Sequence, residues 1–138
     1  MLTKEEFSEI LSAGPCLLDG ATGSYLRAHG MPRDCATEEW VLRNPEVLVE
    51  LQRGYAQAGS RIVYAATFQA QPIALKKIGL ENHTEAINAQ LIALSRSAAP
   101  NCLVAGDIAT LAAFCDSWDP DNFVLLLESY RRQIRGLI

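Results

Sequence analysis

Leu17-Leu18-Asp19-Gly20-Ala21-Thr22-Gly23-Ser24 decides how this chain is read. Two branched apolar residues run into an acid, and the acid runs into a glycine-rich turn. This is how a buried parallel strand ends when it delivers a carboxylate to a site. In α/β folds, ligands sit at the carboxyl ends of strands, where the amides of the following loop are free. Glycine lets that backbone come close to a ligand.

Working outward, Thr3 and Glu6 form a capping box, with Phe7, Ile10 and Leu11 on one face of a short leading helix that stops at Gly14. Pro15 restarts the chain into a first strand, Cys16 to Asp19. A helical turn is expected over Ser24 to Ala28, and Arg33 to Arg43 read as an excursion over the surface. Asn44-Pro45 then opens a helix as cap and first residue, with Val47, Leu48, Leu51 and Tyr55 at helical spacing. Ile62 to Ala66 form a second, continuous apolar strand that ends at Thr67-Phe68. Gln71-Pro72 starts a helical stretch through Ile78, and a longer helix covers Thr84 to Ala98. Leu103 to Ile108 form a third strand, and Asp119-Pro120 opens a last helix carrying Phe123, Leu126, Leu127, Tyr130, Ile134 and Leu137.

Alternating strands and helices with short loops imply a parallel sheet with right-handed crossovers, either an open doubly wound sheet or a closed barrel. A closed barrel needs eight strands and about 250 residues, and this chain has 138. Its helical pattern is still running at Arg135-Gly136-Leu137-Ile138. The expectation is therefore the first part of a larger α/β fold. A complete small three-layer domain is the alternative.

Composition narrows the function. A net charge of −4 lacks the basic stripe that nucleic acid demands. No apolar run approaches the roughly 18 residues of a membrane span, and the N-terminus lacks the apolar core of a signal peptide. A cytoplasmic protein with reduced thiols is expected. Of the cysteines, Cys16 and Cys102 sit in apolar runs and read as small core residues, whereas Cys35 and Cys115 lie in polar stretches. None forms a CxxC pair, and His29 and His83 suit surface or capping roles. Trp40 and Trp118 read as anchors for loops.

Asp19, Thr67 and Asp107 fall at the carboxyl ends of three different strands, which share one mouth in a barrel. A carboxylate accepts from an ammonium group, the amides of Gly20 and Ala21 donate to a carboxylate, and Thr67 does either. Together they suit a zwitterion such as an amino acid. Each of these acids equally suits the role of N-cap to a following helix. The spacing of Asp19 to Ser24 is neither a dinucleotide fingerprint nor a phosphate loop.

Leu18-Asp19-Gly20-Ala21-Thr22-Gly23, Asn44-Pro45-Glu46-Val47-Leu48, Tyr55-Ala56-Gln57-Ala58-Gly59-Ser60 and Thr67-Phe68-Gln69-Ala70 occur in fixed order. This series resembles the N-terminal part of the homocysteine S-methyltransferase family, most of all the homocysteine-binding barrel of corrinoid-linked methionine synthases. Gly106-Asp107-Ile108 fits the same group. The resemblance implies a partial (β/α)8 TIM barrel over residues 1–138, about three βα units plus a leading helix. It implies methyl transfer to the zinc-bound thiolate of homocysteine, giving methionine, with a corrinoid (cobalamin) as a possible donor and corrinoid or folate domains as possible partners. It assigns the substrate ammonium to Asp19, the substrate backbone to the amides of Gly20 and Ala21, and further contacts to Thr67 and Phe68.

The chain also departs from the family pattern. The family's zinc cysteines, including a Gly-Gly-Cys-Cys motif, and its Glu-Thr pair come later than Ile138. Ala109-Thr110 replaces the usual Gly-Pro after the third strand. None of the four cysteines matches a zinc ligand, so the chain by itself is expected to be inactive. A non-catalytic partial-barrel module, stabilised as a homo-oligomer through its open edges, is the competing expectation.

Overall fold

The computed structural model describes residues 2–111 and 120–138. Helix α1 (Lys4–Ser12) starts on the expected capping box: the Thr3 amide donates to Glu6 Oε2 at 2.7 Å and the Glu6 amide to Thr3 Oγ1 at 3.1 Å. Helices α2 (Gly23–Ala28), α3 (Thr37–Arg43) and α4 (Pro45–Gln57) follow, then strand β1 (Ile62–Tyr64). Helix α5 (Pro72–Leu75), α6 (Thr84–Ala98), strand β2 (Leu103–Ala105) and α7 (Pro120–Leu137) complete the described order.

Strands β1 and β2 pair in parallel, with Ile62, Val63 and Tyr64 opposite Leu103, Val104 and Ala105. The first expected strand, Cys16 to Asp19, is shorter than its sequence suggests. It makes one parallel bridge, Leu18 to Ile62, and the Asp19 amide donates to the Ile62 carbonyl at 3.0 Å. Pro15 cannot donate to a ladder, and the Gly20 turn follows at once, so little chain is left to pair. The spatial order is thus the Leu18 segment, β1, β2, each beside its predecessor.

The other two strands stop three residues or more before their expected ends. Beyond Tyr64 and Ala105 the backbone bonds change partner: Thr67 Oγ1 and the side chain of Gln133 on α7 take over from the ladder. The helical stretch from Pro72 is a single α-turn continued as a 3-10 piece, Lys76–Ile78, before Gly79.

The surface excursion expected over Arg33 to Arg43 contains α3. Glu38 and Val41, three residues apart on one face, are both buried, and Trp40 packs from α3 against the core rather than from a loop. The side chain of Asn44 does not cap α4. Its Nδ2 donates backwards to the Trp40 carbonyl at 2.9 Å, closing the end of α3. The two helices abut at Asn44, and the Trp40 carbonyl accepts from both the backbone amide and the side chain of Asn44, each at 2.9 Å. Cys16 and Cys102 are half-buried rather than core residues, because each lies at the start of its strand. Cys115, Trp118 and Asp119 lie outside the described residues.

The main core joins α2, α3, α4, α5 and α6 to the loop after β1, through Leu26, Val41, Leu48, Leu75, Leu91 and Ala70. Buried side-chain amides then tie helices to strand ends. Gln52 of α4 donates to the Tyr64 carbonyl at 3.0 Å, Asn88 of α6 to the Ala70 carbonyl at 2.8 Å, and Gln133 of α7 to the Thr67 carbonyl at 2.7 Å. All three are fully buried. Such bonds have direction, so they fix where each strand end sits as packing alone would not.

The opposite side of the sheet faces a wide apolar hollow of about 960 Å³, bordered by Phe7, Leu11, Leu18, Tyr64 and Ile134. No helix among the described residues is long and apolar enough to cross a membrane.

Candidate functional site

The carboxyl ends of the Leu18 segment, β1 and β2 open onto one cavity of about 720 Å³. Asp19 and Gly20 come from the first, Tyr64 and Phe68 from the second, Asp107 from the third. Three segments distant in sequence converge because they are neighbours in one parallel sheet.

Asp19 is held in place by its own backbone and by β1. Its Oδ2 accepts from the Tyr64 amide at 2.9 Å. Burial pushes its pKa above the ordinary carboxylate range, the Tyr64 amide opposes that, and the nearby charge of Asp107 adds to it. Asp107 is raised as well, chiefly by burial. A half-buried acid with a second acid near it gains from an added cation.

Gly20 owes its identity to packing. A Cβ there would stand 2.8 Å from the Tyr55 hydroxyl, and that hydroxyl donates to the Ala21 carbonyl at 3.3 Å. The turn therefore lies flat against α4. Ala21 itself is exposed and does not line the cavity. Phe68 lies at its edge, half exposed.

Thr67 is the residue that the structure uses otherwise than as an open contact. It is 0% exposed. Its hydroxyl donates to the Asp107 carbonyl and accepts from the Asp107 amide, both at 2.9 Å. Both functions of the hydroxyl are thereby occupied in fixing Asp107 beside the end of β1. Tyr25 stacks on His29 with ring centroids 3.9 Å apart, and His29 Nδ1 lies 2.8 Å from the Tyr25 carbonyl, a helix-end role.

Sequence reasoning missed Glu38. It is 3% exposed, lines the same cavity, and its Oε1 accepts from the Gln69 amide at 2.8 Å. It thereby holds the loop that carries Phe68. Burial raises its pKa, with hydrogen bonds from backbone amides, that of Gln69 among them, opposing. The signal available was the helical spacing of Glu38 and Val41.

Replacing Glu38 by Ala is expected to cost about 2–4 kcal/mol, from an orphaned amide and a new void. Gln keeps an acceptor and should lose much less. The sign of the pH dependence follows from the raised pKa. Glu38 favours the folded state most below the ordinary Glu range, and that contribution is lost as pH rises through its folded pKa. Urea midpoints of the wild type should fall relative to Glu38→Gln over that rise. A parallel pH dependence in both proteins would contradict the assignment.

The described residues hold no group of three or more His, Cys, Asp or Glu that could bind a metal ion. Zinc as implied by the family does not fit these residues.

Comparison with known proteins gives a consistent result. Residues 16–138 match the family Homocysteine S-methyltransferase. A homocysteine S-methyltransferase of Escherichia coli (strain K12) is 30% identical, over 71% of this chain and 36% of its own length. The solved structure of the homocysteine methyltransferase MmuM from Escherichia coli, in its metallated form, is 25% identical. It superposes with a TM-score of 0.73 over 94% of this chain and 52% of that one. Its apo form, also 25% identical, gives 0.63 over 92% and 47%. The chain thus spans about a third to a half of the length of these relatives. Parallel segments in sequential order and this superposition make the fold the N-terminal part of a (β/α)8 barrel. The chain belongs to the homocysteine S-methyltransferase family.

Proposed function

We propose that this chain is the part of a homocysteine methyltransferase that receives the amino-acid end of homocysteine. The observation that carries the reading is the meeting of Asp19, Gly20, Phe68 and Asp107 on one cavity at the carboxyl ends of adjacent parallel segments. In this reading the substrate ammonium is taken by Asp19, with Asp107 beside it. The Gly20 amide lies along the substrate backbone, with Ala21 outside the cavity, and Phe68 covers it. Thr67 acts by fixing Asp107. Thiol activation and methyl donation, with the zinc and the corrinoid donor that the resemblance implies, are assigned to groups other than the residues described here. Methionine formation and a cytoplasmic location belong to the same proposal.

Titration of the chain with L-homocysteine, followed by amide NMR, tests it. Shifts are expected at Asp19, Gly20 and Phe68. Asp19→Asn should weaken binding by about tenfold or more, since a hydrogen bond to a charged group is worth about 1.5–3 kcal/mol. Equal affinity in the variant, or no shifts at those amides, would refute the reading. The same preparation is expected to hold no stoichiometric zinc and to form no methionine.

Self-association through the open edges of the partial barrel is a second part of the proposal. Leu17, Phe123, Val124 and Leu125 are each more than half exposed, and such apolar surface favours burial against another chain. Sedimentation should show a dimer that grows with concentration. A monomer throughout would remove this part.

A further inference from the structure

The apolar hollow of about 960 Å³ is separate from the acids of the candidate site, since neither Asp19 nor Asp107 lines it. Its wall comes from three directions: Leu2, Phe7 and Leu11 from the N-terminal segment, Leu18 from the sheet, and Ile134 and Ile138 from α7. All six are exposed, so a concave apolar surface stands against water. One charged residue lines the hollow, Arg96 in the last turn of α6, and no acid does. Cations elsewhere find acids: Arg43 with Glu39, Arg132 with Glu85 and Arg135 with Glu128. Arg96 is in no ion pair among the described residues. Whatever covers this wall takes the Arg96 guanidinium out of water and must bring the counter-charge that the wall lacks.

From this geometry we propose that the hollow binds a free single-chain amphiphile with a carboxylate head, such as a fatty acid, its tail along the apolar wall and its head on Arg96. The inference is independent of the homocysteine reading. The hollow falls within the range of small-molecule sites, about 300–1,000 Å³. A guanidinium presents a planar fork of donors that matches a carboxylate two bonds at a time. A second copy of the chain is the less suitable cover. In a two-fold contact the same patch meets itself, which brings another Arg96 and no acid from the wall, and leaves guanidiniums buried without a counter-charge. A neutral or cationic amphiphile fails for the same reason. Self-association through Phe123, Val124 and Leu125 stays compatible with a bound ligand, because none of the three lines the hollow.

The test titrates the full chain with octanoate, decanoate and decyltrimethylammonium, each below its micelle concentration, by calorimetry and amide NMR. Decanoate should bind, with shifts at Phe7, Leu18 and Ile134. Each methylene added between octanoate and decanoate should tighten binding by about fourfold, as burial of that group implies. The ammonium probe, with the same tail, should bind about tenfold or more weakly, since a hydrogen bond to a charged group is lost. Arg96→Gln should lose that preference, and Arg96→Lys should recover part of it. Arg96 is exposed, so both variants should fold, as circular dichroism would show. The proposal is overturned if the two head groups bind alike, if the Gln variant still prefers the carboxylate, or if decanoate does not bind. Shifts at Phe123, Val124 and Leu125 in place of the wall would show surfactant adsorbed on the outer face of α7 and would overturn it too. A dimer in sedimentation that excludes decanoate would give the hollow to a second copy.

Discussion

Gly136→Val should detach the end of α7 from α6. A Cβ at Gly136 would lie 2.6 Å from the Glu85 carbonyl oxygen and 2.7 Å from the Asn88 Cβ, so the obstacle is largely backbone and cannot swing aside. Overpacking of this kind costs about 1–3 kcal/mol, and more where the backbone must move; a value near 3 kcal/mol is expected from urea unfolding. A specific signature accompanies it. In the native contact, Arg132 Nε and Nη2 donate to the two carboxylate oxygens of Glu85 at 2.8 and 2.7 Å. The Arg132 guanidinium holds Glu85 down at a pKa of about 2. Because that pKa is depressed, the pair favours folding above the ordinary Glu range and loses its contribution as pH falls toward 2. In Gly136→Val the forked contact should open and Glu85 should titrate in the ordinary carboxylate range. Side-chain NMR of Glu85 at the depressed value would show that α7 had stayed in place.

Thr67→Val should uncouple the ends of β1 and β2. Valine matches the shape of threonine but has no hydroxyl, so the Asp107 amide loses its acceptor and the Asp107 carbonyl keeps only Gln133, at 3.3 Å. An unpaired group of this kind costs about 1–3 kcal/mol. Hydrogen exchange at the Asp107 amide should quicken by about tenfold to a hundredfold, as that energy implies. Thr67→Ser keeps the hydroxyl and should keep that amide protected, at a cost of about 1 kcal/mol for the lost methyl. Unchanged protection in Thr67→Val would show that the hydroxyl is not the fastener. Homocysteine affinity measured alongside separates the two roles of Thr67. If its role is to fix Asp107, binding should weaken with Val and persist with Ser.

Local chemistry was legible in the sequence wherever the answer lies within one turn of chain. The capping box at Thr3 and Glu6, Pro45 as the first residue of α4, and the span of α6 are set by neighbours three or four residues away. So was the convergence of Asp19, Thr67 and Asp107, because a parallel α/β order brings the carboxyl ends of successive strands together. The sequence by itself therefore determined the fold class and the meeting of Asp19 and Asp107 at one end of the sheet.

Only the tertiary structure decided what each side chain does there. Asn44 has an open helix end on either side of it, and the abutting of α3 and α4 chose Trp40. Thr67 is equally able to meet a ligand or a backbone, and the nearness of Asp107 chose the backbone. Glu38 reads as a surface acid until α3 packs it against the Gln69 amide, where hydrogen bonds from backbone amides offset part of its burial. The physical reason is common to all three: a polar group's partner is set by distance in space, and a sequence specifies that distance only through the packing of the whole chain.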